Sequence, residues 1–335
     1  MNSYKVLFVI DKIEFQYFEF NQLVTSFWLI MECNRRGWDV CITTQDRLFL
    51  NNSEPEAFIF ETKLINTVDG VDIIKEKDSF RSKLEEFDMI LFRPDPPVDL
   101  NYINSTYVLD LVDTSKTLVI NNPTGIRNAN EKLYINNFSS VIPKNITTNN
   151  ATLIKEFLNE YGEIIIKPLN RCFSKGIFYL CKGDKNVNTI IDTATNSGTT
   201  LVMVQEYLEK IKDGDKRIIV IGGKVYEETI VKISGNDDFK FNTHKDEFFR
   251  KSELTDEDRE ICDVISSKLL EDGLFIAGLD VIDGKMIEIN VTSPCFFIKE
   301  MNEMYNSKIE QRIVDYLENL ICCKKNNPRR CFLKI

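Results

Sequence analysis

The segment AGLDVIDGKMIEINV, residues 277–291, holds two carboxylates and an amide at a spacing that can serve a hard cation. A two-residue turn at Asp283-Gly284 would pair Leu279 with Glu288 and mix polar with apolar side chains on both faces. A three-residue loop, Asp283 to Lys285, instead sets Leu279, Val281, Ile287, Ile289 and Val291 on one face. Asp280, Glu288 and Asn290 then share the other. The cleaner apolar face favours this second register. Its oxygen donors suit Mg2+, which is held by one or two carboxylates together with substrate phosphates. The blander reading of the same pattern is a half-exposed hairpin with a polar outer face.

Cationic side chains stand where they would match such a site. Lys132, in NANEKL, is expected to open a helix, and Lys167 closes the strand EIIIKP, from whose end its side chain can reach a polyphosphate. The loop that follows, NRCFSK, carries Arg171 and Lys175 and reads either as a phosphate-gripping loop or as a surface hairpin that happens to be basic. A strand running into Glu206-Tyr207-Leu208 offers backbone to an adenine edge, Asp215 suits a ribose hydroxyl, and Arg217 suits a phosphate or carboxylate. His244 is the only histidine, in the polar stretch NDDFKFNTHKDEF, so a Ser-His-Asp or Cys-His nucleophile would rest on that residue alone.

The elements that must carry these residues read as two grammars. KVLFVID is a short apolar run ending in an acid, as in a buried parallel strand whose end faces a crevice. A helix over 21–36 closed by Gly37, the strand WDVCITT, the strand DMILFRPDPP, the helix NYINSTYVLDLVD and the strand TLVINNP follow. Alternation of this kind predicts an α/β domain with a parallel sheet over residues 1–125. From about Ala151 the order becomes helix ATLIKEFLNEYG, strands EIIIKP and GIFYLCK, helix NVNTIIDTATNSG and strand LVMVQEYL, an antiparallel α+β module. Next come a hairpin turning at Gly222-Gly223, a polar loop 234–252, a helix N-capped by Thr255, the 277–291 hairpin and a last helix over 303–323.

Bulk properties narrow the function classes. A chain of 335 residues has room for two or three domains. Its net charge of −10 leaves no broad basic surface for nucleic acid; the basic tail KKNNPRRCFLKI is local. The nine cysteines are scattered, with no Cys-x-x-Cys, which speaks against a disulfide framework or a zinc site. No apolar run of about 18 residues is present to span a bilayer. The apolar stretch of MNSYKVLFVIDK is too short for a signal peptide, and the expectation is a cytoplasmic protein with no membrane partner.

At this point the sequence resembles the ATP-grasp ligases, and within them the bacterial glutathione synthetases. The matching stretches are RPDPPVD, VINNPTGIRNANEKL, IIIKPL, QEYLEKIKDGDKRIIVIGGKV and GLDVIDGKMIEINVTSP, in the family's order. The resemblance implies an ATP-grasp fold of α/β and α+β parts: a substrate domain over 1–125, a central lid over 126–204 and a carboxy-terminal domain over 205–335. It also implies ATP with Mg2+, Mn2+ being an alternative, and an acyl phosphate that an amine attacks. Lys132 and Lys167 would then hold phosphates, Glu206, Tyr207 and Leu208 the adenine, Asp215 the ribose, and Asp280, Glu288 and Asn290 the metal. Arg217, Lys232, Lys240 and Asn242 would steady the reacting groups. Ser293 and Pro294 would border the amino-acid acceptor, and Arg93 and Asp95 the peptide donor. Family members assemble as dimers or tetramers, so a homo-oligomer is expected.

Two departures stand out. The family's glycine-rich loop after Lys-Pro-Leu is here Asn170 to Lys175, with only Gly176 at its end, so against the family pattern Arg171, Ser174 or Lys175 would supply by side chain part of the phosphate contact. Lys232 and Lys240 stand where the family carries arginine, which keeps the charge but gives up the bidentate grip on a carboxylate. Three functions fit: a glutathione synthetase acting on γ-glutamylcysteine and glycine, a ligase of the same mechanism with another amino acid or peptide, or a nucleotide-binding regulatory subunit without activity.

Overall fold

The computed structural model describes residues 3–18, 24–67, 70–171, 175–233, 249–294 and 297–326. Three sheets succeed one another along the chain. In the first, Lys5–Ile10 lies between Asp39–Thr44 and Met89–Arg93, with Leu118–Ile120 beyond, all parallel. The run KVLFVI is apolar throughout because both faces of its strand are covered. Val6, Phe8 and Ile10 enter one core and Leu7 and Val9 a second; on Met89–Arg93, Met89 and Leu91 alternate with Ile90 and Phe92 in the same way.

This sheet is larger than the sequence reading allows. Glu54–Thr67 adds antiparallel to Asp39–Thr44 and itself pairs with Leu48–Asn51, Gly70–Lys75 and Phe80–Lys83, giving eight strands of mixed direction. The expected helix over 21–36 is Thr25–Arg35, its first residues lying outside the described ones.

The second sheet, Phe178–Cys181, Glu163–Pro168, Val202–Glu206 and Asn145–Thr148, is antiparallel as expected, with helices Ala151–Tyr161 and Val187–Ala194. It has its own core of Ile154, Phe157, Leu158, Ile164, Ile166, Leu180, Ile191, Val202 and Val204. Met203 and Leu169 reach across to the second of the larger cores.

The third sheet runs Phe249–Ser252, Thr229–Lys232, Asp215–Ile221, Ile276–Ile282 and Lys285–Asn290, antiparallel throughout. The Gly222-Gly223 turn is present, both residues at positive φ. Thr255 caps Asp256–Glu271 in a reciprocal box: its hydroxyl accepts from Asp258 N–H at 3.2 Å, and Asp258 accepts from Thr255 N–H at 2.9 Å. Two expectations are corrected. The end of the polar loop, Phe249–Ser252, is an edge strand, and the single last helix is two, Ile298–Tyr305 and Ile309–Asn326, separated at Asn306 by a left-handed residue.

One buried amide ties the first sheet to the third. Asn121, directly after Leu118–Ile120, donates to the carbonyls of Ile276 and Val291 and accepts from Ile276 N–H, each at 2.8 Å. Removing it leaves three buried backbone groups unpaired. Asn121→Ala is therefore expected to destabilise the protein by about 3 kcal/mol, read as a lower midpoint of urea unfolding; a midpoint equal to wild type would show that the junction is held by other contacts.

Candidate functional site

The 277–291 hairpin realises neither simple register. Asp283 and Gly284 both adopt positive φ, the conformation of a two-residue hairpin turn, so Ile282 faces Lys285 and Val281 faces Met286. Ile287 is then an extra residue in its strand. Beyond this bulge Asp280 faces Glu288, Leu279 faces Ile289 and Gly278 faces Asn290, which is the pairing of the three-residue loop. The expected turn is thus corrected while the expected carboxylate pair stands. Met286, not Ile287, takes the buried place nearest the turn.

Strand pairing sets the neighbours of that pair. Arg217 lies opposite Asp280 and Asp215 opposite Lys232, while residues 215 and 217 share a face. Arg217 grips Asp280 with two nitrogens, at 2.8 and 3.2 Å. The Lys232 ammonium is divided between Asp215 at 2.7 Å and Asp280 at 3.1 Å. Asn290 Nδ2 donates to Asp280 at 3.2 Å, and Lys132, from outside the sheet, donates to Glu288 at 3.0 Å and to the Arg171 carbonyl at 2.8 Å. Lys132 does not open an α-helix; it sits in a turn ahead of the short 3-10 segment Tyr134–Asn137.

Burial and pairing fix the electrostatics. Burial works against the Asp280 charge, but Arg217 and Lys232 overcome it and hold the carboxyl well below the usual range. Asp215 is pushed up to about 6 by burial and by Asp280, with Lys232 opposing. For Lys232 burial opposes the charge, yet Asp215 and Asp280 raise its pKa above the ordinary lysine value. Lys167 is 6% exposed and has no ion-pair partner among the described residues. Burial lowers it to about 8, helped by the Lys132 charge and resisted by Glu288.

The structure brings other expected residues together. Arg93, at the end of its strand, donates to the Pro294 carbonyl at 3.1 Å and lies 3.5 Å from the Ser293 hydroxyl, so the two stretches expected to border donor and acceptor touch. Asp95 lies beside Ser293. Glu206 accepts from Lys285 Nζ at 2.8 Å and from Lys144 N–H at 3.0 Å; burial would raise it, but these partners hold it below the ordinary range. Tyr207 packs edge-on against Tyr179, with ring centroids 5.0 Å apart, and Leu208 precedes a 3-10 turn. Arg171 and Lys175 are exposed, and the Arg171 side chain runs beside Gly176. Ser174, Lys240, Asn242 and His244 lie outside the described residues.

Sequence reasoning missed Glu131. Its carboxylate accepts from Val291 N–H at 2.9 Å, Thr292 N–H at 3.1 Å and Thr292 Oγ1 at 2.8 Å, fixing the exit of the hairpin. Its acidity next to Lys132 was visible; its burial was not.

An unpaired buried lysine costs stability. Folded near 8 and unfolded near 10.5, Lys167 loses its proton earlier in the folded state, so its penalty is full below pH 8 and fades as pH rises to the unfolded value. Lys167→Met is expected to raise stability at pH 7 by about 3 kcal/mol, and by clearly less at pH 10. Paired urea titrations read this difference; an equal gain at both pH values would mean that Lys167 is not held uncharged-prone by its surroundings.

Residues 131–306 match the ATP-grasp domain of prokaryotic glutathione synthetase, and residues 4–127 match its N-terminal domain. A glutathione synthetase of Nostoc sp. is 36% identical over 302 residues, covering 88% of this chain and 92% of its own. Among solved structures, D-cycloserine synthetase DcsG aligns with a TM-score of 0.67 at 13% identity, covering 95% of this chain and 100% of that one. The ATP-grasp ligase PsnB, solved with a phosphomimetic variant of its minimal precursor, Mg and ADP, aligns with a TM-score of 0.57 at 16% identity, covering 95% and 99%. The chain has the ATP-grasp fold and belongs to the prokaryotic glutathione synthetase family.

Proposed function

We propose that the protein is an ATP-dependent ligase that joins γ-glutamylcysteine to glycine through an acyl phosphate, in the cytoplasm. The observation that carries this reading is the row Lys232, Asp215, Arg217, Asp280 and Glu288 across one sheet face, met by Lys132 from another segment. Activating a carboxylate with ATP brings several negative charges together, and catalysis then consists mainly of neutralising and aligning them. No protein nucleophile is required, in keeping with a single histidine.

Asp280, Glu288 and Asn290 fit a hard divalent ion: two carboxylates and an amide converge on one face, with Asp280 facing Glu288 directly. Mg2+ bound there would offset phosphate charge. In this reading Lys132 and Lys167 grip the phosphates. Lys167, near 8 when unpaired, gains an anionic partner and stays charged. Arg217 orients Asp280 and steadies the transferred group. Lys232 neutralises Asp215 and Asp280, and Lys240 and Asn242, outside the described residues, steady the reacting groups. Glu206, Tyr207 and Leu208 line the adenine and Asp215 the ribose. Arg93 and Asp95 receive the dipeptide and Ser293 and Pro294 the glycine, a reading supported by the Arg93 contact to the Pro294 carbonyl.

One observation favours a second reading, a ligase of the same mechanism with another substrate. The loop after Lys167 carries side chains where backbone amides would otherwise approach phosphate, and Lys132 bonds its Arg171 carbonyl. Phosphate release should require ATP, Mg2+, γ-glutamylcysteine and glycine together, and Glu288→Ala should lower turnover at least about a hundredfold. Release with a different γ-glutamyl dipeptide or amine in a substrate panel, and none with this pair, would replace the substrate assignment; no substrate-dependent release at all would overturn the ligase. Replacing Arg171 and Lys175 together with alanine is expected to raise the KM for ATP about tenfold. Unchanged steady-state constants would make the loop a cover only.

A further inference from the structure

A second cluster of acids lies on the first sheet, apart from the row on the third. Asp11, Glu14 and Asp95 each place a carboxylate oxygen within 4.8 Å of the other two. Topology causes the convergence. Lys5–Ile10 and Met89–Arg93 are parallel neighbours with Ile10 opposite Arg93, so the chain leaves both strands at the same sheet edge. Asp11 follows one strand directly, and Asp95 lies two residues beyond the other. Glu14 is carried on the turn that Asp11 caps by accepting from Ile13 N–H at 2.6 Å and Glu14 N–H at 2.9 Å.

Glu14 is the independent sign that this cluster receives something. It is 4% exposed, and neither carboxylate oxygen has a hydrogen-bond partner among the described residues. The nearby Ser26 hydroxyl, which accepts from Arg93 Nε at 3.0 Å, eases the Glu14 charge as the smallest of the influences on it. Burial, then Asp95 and Asp11, drive Glu14 toward its neutral form, and burial with Asp11 pushes Asp95 up to about 7. A buried acceptor left without a donor is costly, and a fold with no use for it would carry an apolar residue there. The adjoining cavity, bordered by Ile10, Glu14, Phe18, Ser26 and Phe27, measures about 10 Å3, space for one water-sized group.

Three acceptors converging within 4.8 Å select a compact cation. Three oxygens accepting from one ammonium nitrogen at about 2.8 Å stand about 4.6 Å apart. We propose that Asp11, Glu14 and Asp95 form a cation subsite for the α-ammonium group of the acyl donor. This rests on the reading of the protein as a ligase of a γ-glutamyl dipeptide. Arg93 beside the cluster favours an amino-acid head over a metal ion, because such a head carries a carboxylate along with its ammonium, and arginine opposes a bare cation. A divalent metal is the other source of the same charge.

The test is equilibrium binding by titration calorimetry, with a non-hydrolysable ATP analogue and Mg2+ present. γ-Glutamylcysteine is compared with its des-amino analogue, glutarylcysteine, on wild type, Glu14→Gln and Asp11→Asn. Wild type should prefer the amine about tenfold or more, and both isosteric variants should lose that preference while still binding glutarylcysteine. A parallel arm follows the thermal midpoint without nucleotide in Ca2+, Mg2+ or methylammonium, in a Glu288→Gln background that removes the other metal site. A midpoint rise in a metal ion that Glu14→Gln abolishes keeps the cation subsite and assigns it to metal. Equal affinity for the two dipeptides with no cation effect on the midpoint overturns the proposal. If neither dipeptide binds, the ligase reading fails on its own, and the thermal arm still decides the subsite.

Discussion

Everything at the site depends on keeping the Asp280 carboxylate ionised inside a sheet. Placed there alone it would take up a proton. Arg217 and Lys232 prevent that, and each reaches it only because the pairing of three antiparallel strands sets residues 215, 217, 232 and 280 side by side. The same pairing delivers Glu288 as the direct partner of Asp280. A one-residue slip in any of these strands would turn the row toward the apolar core that holds Ile218, Leu279 and Ile289. Register is therefore the quantity on which the chemistry rests, and it is defended by apolar packing on the opposite face.

Lysine in place of arginine at 232 has a physical reading in this setting. One ammonium serves two carboxylates, at 2.7 and 3.1 Å, while the bidentate contact is left to Arg217. A compact point charge can sit between two acids where a planar fork would commit to one. The positive charge that the family pattern supplies is kept, and the geometry of its delivery changes.

Much of this was legible in the residues. Apolar runs with no alternation announced strands buried on both faces, and Thr255 and Gly222-Gly223 announced a cap and a turn. The carboxylate pair in the 277–291 hairpin followed from the apolar positions alone. The turn was misjudged because the bulge at Ile287 supplies one residue that a three-residue loop would also supply, and pattern cannot tell the two apart. The strands between 48 and 83 went unread because much of that ribbon is exposed and carries no clear period. The split before Ile309–Asn326 was hidden because both helices present apolar faces in sequence. Glu14 and Glu131 were invisible for a common reason: nothing in a glutamate's neighbours along the chain reports that tertiary contacts will bury it.

The antiparallel module over 145–206 keeps its apolar core to itself, apart from Met203 and Leu169. Among its ties to the rest of the protein are single polar contacts: Lys132 to the Arg171 carbonyl, Asn130 to the Leu169 carbonyl at 3.1 Å, and Lys285 to Glu206. Such a joint is directional and largely polar. Parting it would exchange a few hydrogen bonds with water and uncover little apolar surface, so the heat-capacity change would be small. The free energy of parting it would then run nearly straight with temperature, without the curvature that apolar exposure brings.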